Sequence, residues 1–288
     1  MPPLLEVDRV SKSFGGVAAN VEISFDVREG EILGLIGPNG AGKTSLFNSI
    51  SGEVEPDAGE VRLSGRRISG LRPEQCSLLG IARTFQVVRS FDSMTVLENV
   101  MVGAYARLYR TRAAMARAME TLVFTGLAGR ADTLAHSLTP AEKRRLEVAR
   151  ALATEPRVLL LDEMLTGLTP VEAQSGVQLI RDVRARGVTV MMVEHVMEVL
   201  LPLVDRAVVL DLGRVLTIGA PQEVVRNPAV IRAYLGDRYG GESVGGAPSP
   251  TFPRFAEEGV VVAGVESGGR GLLPGPGIIR AGDRKSVV

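Results

Sequence analysis

Cysteine is nearly absent from this chain: Cys76 is the single one in 288 residues, alongside no tryptophan and only two histidines. One thiol excludes an internal disulfide and a cysteine-based metal cluster, fits a reducing compartment, and reads as a small packed side chain. An excess of charge of one sign is missing too. Lys plus Arg and Asp plus Glu each total 33, so the global balance gives no electrostatic reason to expect DNA, RNA or anionic lipid as the main partner. No apolar run approaches the ~20 residues that cross a bilayer. The most apolar stretch, Val196 to Leu212, is interrupted by Glu198, Asp205 and Arg206. The first ten positions carry acidic residues and no basic segment, unlike a secretory signal. These absences point to a cytoplasmic protein with the composition of an ordinary globular chain, long enough for one large or two small domains.

What is present is concentrated in Gly37 to Thr44, GPNGAGKT, which fits the phosphate-binding pattern G-x-x-x-x-G-K-[ST] position for position. Polyphosphate needs unpaired backbone N–H groups around it. Gly37, Gly40 and Gly42 allow the close main-chain approach, with Pro38, Asn39 and Ala41 between them. Lys43 supplies a point charge to the outer phosphates and Thr44 a hydroxyl to Mg²⁺. Ser45 to Ile50 continues as a helix that begins near Lys43 and adds the partial positive charge of its N-terminus. Ile32 to Ile36 is a short apolar run suited to a buried strand, so the strand, loop and helix follow in the required order. The plain alternative is a glycine-rich turn that happens to match.

Around this centre the chain changes character several times. Leu4 to Val10 and Val21 to Val27 alternate like strands, and Arg28 to Glu31 reads as a turn. From Met94 to Ala135, Ala, Met, Leu and Arg dominate, which predicts a helical lobe inserted between two parts of an α/β core. Val158 to Leu161 and Val188 to Val193 are buried-strand runs that each follow a helical segment, as in a parallel sheet with helical crossovers. Ala207 to Leu210 and Arg214 to Ile218 form a strand pair around Asp211 to Gly213. From Asp237 to Val288, 12 Gly and 5 Pro fall among 52 residues, which predicts a low-complexity, flexible tail.

Leu159-Leu160-Leu161-Asp162-Glu163 is an apolar strand ending in two carboxylates. Beside a phosphate loop, Asp162 is the candidate for the metal side, and Glu163 the candidate to orient and deprotonate an attacking water. On its own the motif has an equally good reading as a strand that ends in acidic loop residues.

The order of these elements resembles the ATP-binding cassette family, the nucleotide-hydrolysing subunits of ABC transporters, over roughly residues 4 to 236. Phe14 in SKSFGG matches the aromatic that stacks on adenine, Gln86 in ARTFQ the Q-loop glutamine, and His195 in VMMVEHV the switch histidine. Each has a plainer reading: core for Phe14, surface for Gln86, a core histidine for His195. His136 has no comparable warrant and reads as a loop residue. The resemblance implies an α/β P-loop NTPase core with a helical subdomain inserted at about residues 90–150 and an N-terminal antiparallel β subdomain, together spanning 1–236. It implies ATP and Mg²⁺ as cofactors, with Thr44, Gln86 and Asp162 on the metal, residues 37–45, Phe14, Gln86 and Thr139 on nucleotide, and Lys43, Glu163 and His195 in catalysis. Gly80 to Tyr105 and the ending AVIRAYLG, Ala229 to Gly236, look most like the ATP-binding subunits of branched-chain amino acid permeases. By analogy this implies transmembrane permease subunits, a second ATP-binding subunit, a solute-binding protein acting indirectly, and a place on the inner face of the membrane.

The chain departs from the family where L-S-G-G-Q is usual. Leu138-Thr139-Pro140-Ala141-Glu142 stands there, and without the family it reads as a capping box with proline in the first turn. Two readings stay open: a helix N-terminus that still faces a partner's γ-phosphate, or one that is mainly structural. Lys143, Arg144 and Arg145 read as a solvated basic face. Met164 replaces the usual proline, and Thr169 the usual D-loop aspartate. A GTPase would need an Asn-Lys-x-Asp element that is not present, and a small-molecule kinase would leave Gln86, Glu163 and His195 unexplained. A cassette uncoupled from transport remains the alternative. Repair-type members need long coiled coils, for which the stretch from Lys43 to Asp162 leaves no room, and translation-type members carry two cassettes.

Overall fold

The computed structural model describes residues 2–235. The chain opens with a hairpin of β1 (Leu5–Phe14) and β2 (Val17–Val27). Both strands are longer than the alternation predicts because Gly15 and Gly16, at φ 52° and 87°, make a two-residue turn whose twist matches the strands it joins. Next come β3 (Ile32–Ile36), the phosphate loop and α1 (Lys43–Ser51), then β4 (Ala58–Leu63) and β5 (Arg66–Arg67). The first sheet is antiparallel, in the order β2-β1-β4-β5. Neither β4 nor β5 stands out in the sequence, since one contains Gly59 and the other is two arginines.

After α2 (Pro73–Leu79), which carries the buried Cys76, and β6 (Ile81–Arg83), the chain enters its helical part. Burial pushes the Cys76 thiol up, as expected of a packed side chain. Met94 to Ala135 holds α3 (Val96–Ala104), α4 (Thr111–Thr125) and a short 3₁₀ turn, and a second such turn, Ala135–Ser137, follows with the exposed His136. α5 (Pro140–Leu152) follows. Val96, Val100, Ala118, Leu122 and Leu146 pack into one apolar cluster shared by α3, α4 and one face of α5, which also contributes Ala149. Val148 and Ala151 on α5 join the core of the main sheet instead, so this one helix belongs to both layers.

The chain then runs through β7 (Val158–Asp162), α6 (Pro170–Ala185), β8 (Thr189–Val193), α7 (Met197–Leu200), β9 (Arg206–Asp211), β10 (Arg214–Gly219), α8 (Pro221–Arg226) and α9 (Pro228–Leu235). The second sheet has the order β10-β9-β3-β8-β7-β6, with all strands parallel except β10 at the edge. Both its faces are covered, which is why these strands read as continuous apolar runs. Leu35, Leu160, Met191 and Val208 face α1 and the antiparallel sheet, while Ile36, Leu161, Met192 and Val209 face the α5 and α6 side. Among the described residues no helix is long and apolar enough to cross a membrane. The segment from Asp237 onward, read as a tail, lies outside the described residues.

Candidate nucleotide site

The site forms where parallel strands β3, β8 and β7 end together. Register aligns Leu35 of β3 and Asp162 of β7 with Val193 of β8, so the loops after all three strands leave the sheet at one edge. In an open α/β sheet this edge, at the carboxyl ends of the strands, is where ligands bind.

The phosphate loop lies against the first sheet. A Cβ on Gly42 would stand 2.1 Å from the Ala19 carbonyl oxygen and 2.6 Å from Asn20 Nδ2, and φ there is 96°, so the position admits only glycine. Gly42 is also the N-cap of α1 and has no side chain to cap it, which leaves the N–H groups of the first turn for another acceptor. Lys43 is 7% exposed, and its Nζ donates to the carbonyl oxygens of Gly37 at 2.7 Å and Pro38 at 3.0 Å. Burial lowers its pKa, and the nearby carboxylates of Glu163 and Asp162 oppose that shift. Thr44 is exposed at the start of α1.

Asp162 is buried at the end of β7. Its Oδ2 accepts from Arg83 Nη2 at 3.1 Å, and its N–H donates to Thr84 Oγ1 at 3.2 Å. Desolvation raises its pKa, and the Arg83 guanidinium opposes that. Arg83 also donates to Asn48 Oδ1 on α1 at 2.5 Å, which ties the phosphate-loop helix to the strand before Gln86. Glu163 Oε1 accepts from Gln86 Nε2 at 3.1 Å and lies 2.7 Å from His195 Nε2. One carboxylate oxygen therefore gathers side chains from two other loops. Lys43, Asp162, Glu163, Gln86 and His195 are the predicted residues that the structure brings together.

Phe14 and Thr139 stand apart from this cluster. Phe14 ends β1, is 45% exposed and carries the Lys12 ammonium 5.6 Å from its ring centre, so it is not a core residue. Thr139 caps α5: its Oγ1 accepts from the Glu142 N–H at 3.2 Å while its own N–H donates to Glu142 Oε2 at 2.9 Å. Glu142 turns its other oxygen to Arg130 Nε at 2.9 Å. The backbone bond from Thr139 and, behind it, Arg130 hold its carboxyl below the usual range.

Three neighbours of the site escaped the sequence reading. Glu194 is 1% exposed, accepts from Leu165 N at 2.6 Å and from Thr166 Oγ1 at 3.1 Å, and has its pKa raised by desolvation. Arg83 lay inside a motif read only for its glutamine. Arg144 corrects the expectation of a solvated basic face, since it is half-buried and donates to the Glu163 carbonyl oxygen. Lys143 approaches Asp92, and Arg145 donates to Thr125 O at 3.0 Å.

The family profile described as ABC transporter matches residues 21–166. This chain is a member of the ABC transporter ATPase family. A second profile, branched-chain amino acid ATP-binding cassette transporter, matches residues 214–240. The cassette is 40% identical over 251 residues to the high-affinity branched-chain amino acid transport ATP-binding protein LivG of Salmonella typhimurium, covering 82% of this chain and 98% of that protein. Identity is 38%, with the same coverage, to BraF of Pseudomonas aeruginosa. It is 37% over 239 residues to the lipopolysaccharide export system ATP-binding protein LptB of Acidithiobacillus ferridurans, covering 83% and 99%. Among solved structures, the ADP conformation of MJ1267, an ATP-binding cassette of an ABC transporter, superposes with a TM-score of 0.75 at 28% identity, covering 82% of this chain and all of that one. The expected fold class, a P-loop ABC ATPase core with an antiparallel β part and a helical part, is therefore the observed one, and the cassette is an ATPase.

Proposed function

We propose that this cassette hydrolyses ATP with Glu163 as the base, to power import of branched-chain or related amino acids. The observation that carries the chemistry is the convergence of Gln86 and His195 on one oxygen of Glu163, beside a phosphate-binding lysine. Phosphoryl transfer needs a nucleophile held in line and charge stabilisation more than covalent chemistry. Lys43 and the uncapped N–H groups where the loop of residues 37–45 enters α1 hold the phosphates, and Phe14 offers an exposed ring for adenine. Glu163 accepts the proton of the attacking water. Gln86 and His195 orient that carboxylate, with His195 placed to report the γ-phosphate.

The donor set suits Mg²⁺. Among the described residues no group of three or more His, Cys, Asp or Glu side chains is arranged as a cage, and Mg²⁺ takes one or two protein oxygens and completes its shell with phosphates and water. Thr44, Asp162 through its Oδ1, and Gln86 would hold it, and the ion would supply charge neutralisation at the phosphates.

The transported solute is inferred from the match over residues 214–240 and from the LivG and BraF relatives. On this reading residues 1–236 form the cassette, with the helical subdomain at about 90–150. It sits on the cytoplasmic face of the membrane, held by permease subunits and paired with a second ATP-binding subunit, while a solute-binding protein acts indirectly.

Glu163→Gln tests the chemistry. The amide keeps the shape without the base, so turnover should fall by roughly 100-fold or more while nucleotide is still retained. Near-normal turnover would remove Glu163 from the role. Co-purification of the complex, followed by ligand binding to its solute-binding subunit, tests the transport reading; a lipid-linked cargo in place of an amino acid would overturn it.

A further inference from the structure

Arg144 reaches the main chain of Glu163 rather than its side chain: Nη1 donates to the Glu163 carbonyl oxygen. That residue has φ 52°, a left-handed conformation that non-glycine side chains rarely adopt and that persists only where surrounding bonds determine it. Two such bonds are present. The Glu163 N–H donates to the Val193 carbonyl at 2.9 Å, and Arg144 takes the carbonyl on the other side. Between them they set where the carboxylate points, and it points at Gln86 and His195.

The same helix also holds the neighbouring loop. Glu147, one turn beyond Arg144 on α5 and 5% exposed, accepts from the Arg89 N–H at 2.8 Å, three residues after Gln86. Arg150 donates to the Arg89 carbonyl at 2.5 Å. α5 therefore grips main chain on both sides of the Gln86–Glu163 contact, through residues outside the motifs that identify the site.

We propose that Arg144 is a positioning residue that pins the Glu163 peptide in its left-handed conformation, so that the aim of the carboxylate depends on how α5 is seated. The inference rests on Glu163 being the base. It gives α5, which shares a core with α3 and α4, a direct mechanical hold on the reacting centre.

The test uses the full-length chain in complex with its co-purifying permease subunits. Arg144→Gln should lower kcat roughly ten- to a hundred-fold, as small misplacements of a reacting group do, and leave the ATP Kd and melting temperature near those of the parent. Arg144→Lys, which keeps a donor, should recover part of the loss. Added to Glu163→Gln, Arg144→Gln should cause no further fall, because the two act as one unit. If Arg144→Gln turns over normally while Glu163→Gln does not, this inference fails and the base assignment stands. Normal turnover in Glu163→Gln defeats the base assignment itself. If Arg144→Gln melts early, Arg144→Lys decides: a kcat that falls only with the folded fraction makes Arg144 structural and overturns the proposal.

Discussion

α1 and α5 begin in opposite ways. α1 starts on Gly42, with no capping side chain and no acidic residue in its first turn. α5 starts on Thr139 with a reciprocal Glu142 and Pro140 behind the cap, and α6 repeats the arrangement with Thr169, Pro170 and Glu172. Glycine in place of a capping side chain costs only about a few tenths of a kcal/mol, so α1 gives up little stability by starting bare. Its N–H groups and positive end therefore remain available to an anion, whereas those of α5 are already occupied by its own residues. Of two helix starts, the one with the poorer local signal is the proposed binding site.

The comparison is broken most severely at Lys43. Lys43→Met removes the buried ammonium that now rests on the Gly37 and Pro38 carbonyls. Hydrogen bonds to charged groups are worth about 1.5–3 kcal/mol, so nucleotide affinity should fall roughly 10- to 100-fold, measured by titration calorimetry. An unchanged Kd would mean that the bare helix end suffices without the lysine.

How much of this could be read beforehand depends on where the partners lie in the chain. The phosphate loop was legible because its requirement is local: close main-chain approach, a lysine and a hydroxyl within eight residues. The β7, β8 and β9 strands were legible because burial on both faces leaves an unbroken apolar run. Gln86 and His195 became readable only through the family resemblance, since nothing near them in the sequence says that they meet at Glu163. Arg83 with Asp162, Arg144 with Glu163 and Glu194 with Leu165 were not legible at all. Those partners lie 79, 19 and 29 positions apart, and one of each pair is usually a main-chain atom or a buried acid. The basic run at 143–145 misled for the same reason: the character of a face depends on what packs over it.

A gentler test bears on α5. Thr139→Ala removes the Oγ1 that accepts from Glu142 N, which should cost about 1 kcal/mol and lower the melting temperature by ~2–4 °C, as Thr169→Ala should on α6. If that is the whole role of Thr139, the two variants should keep similar turnover in the assembled complex. A turnover loss in Thr139→Ala well beyond that of Thr169→Ala would show that the α5 terminus also serves a partner's nucleotide, and the contrast between a bare and a self-satisfied helix start would no longer hold.

The smallest effect is electrostatic and concerns the acid side of the pH range. Glu142 is held below its usual value of 4.5, first by the Thr139 N–H and then by Arg130. A depressed carboxyl binds fewer protons in the folded state, so its contribution is complete above the unfolded value and is lost as pH falls through the folded one. Asp162, Glu147 and Glu194 have the opposite sign, because burial raises each of them and acidification relieves the cost of their charge. Glu142→Gln keeps a capping group but loses the charge that Arg130 and the helix end attract. It should melt slightly below the parent at pH 7, by less than Thr139→Ala does, and the difference should close as pH drops below about 4. A gap that persists at low pH would assign the loss to packing or cap geometry, and the negative charge at the start of α5 would then have no part in distinguishing it from α1.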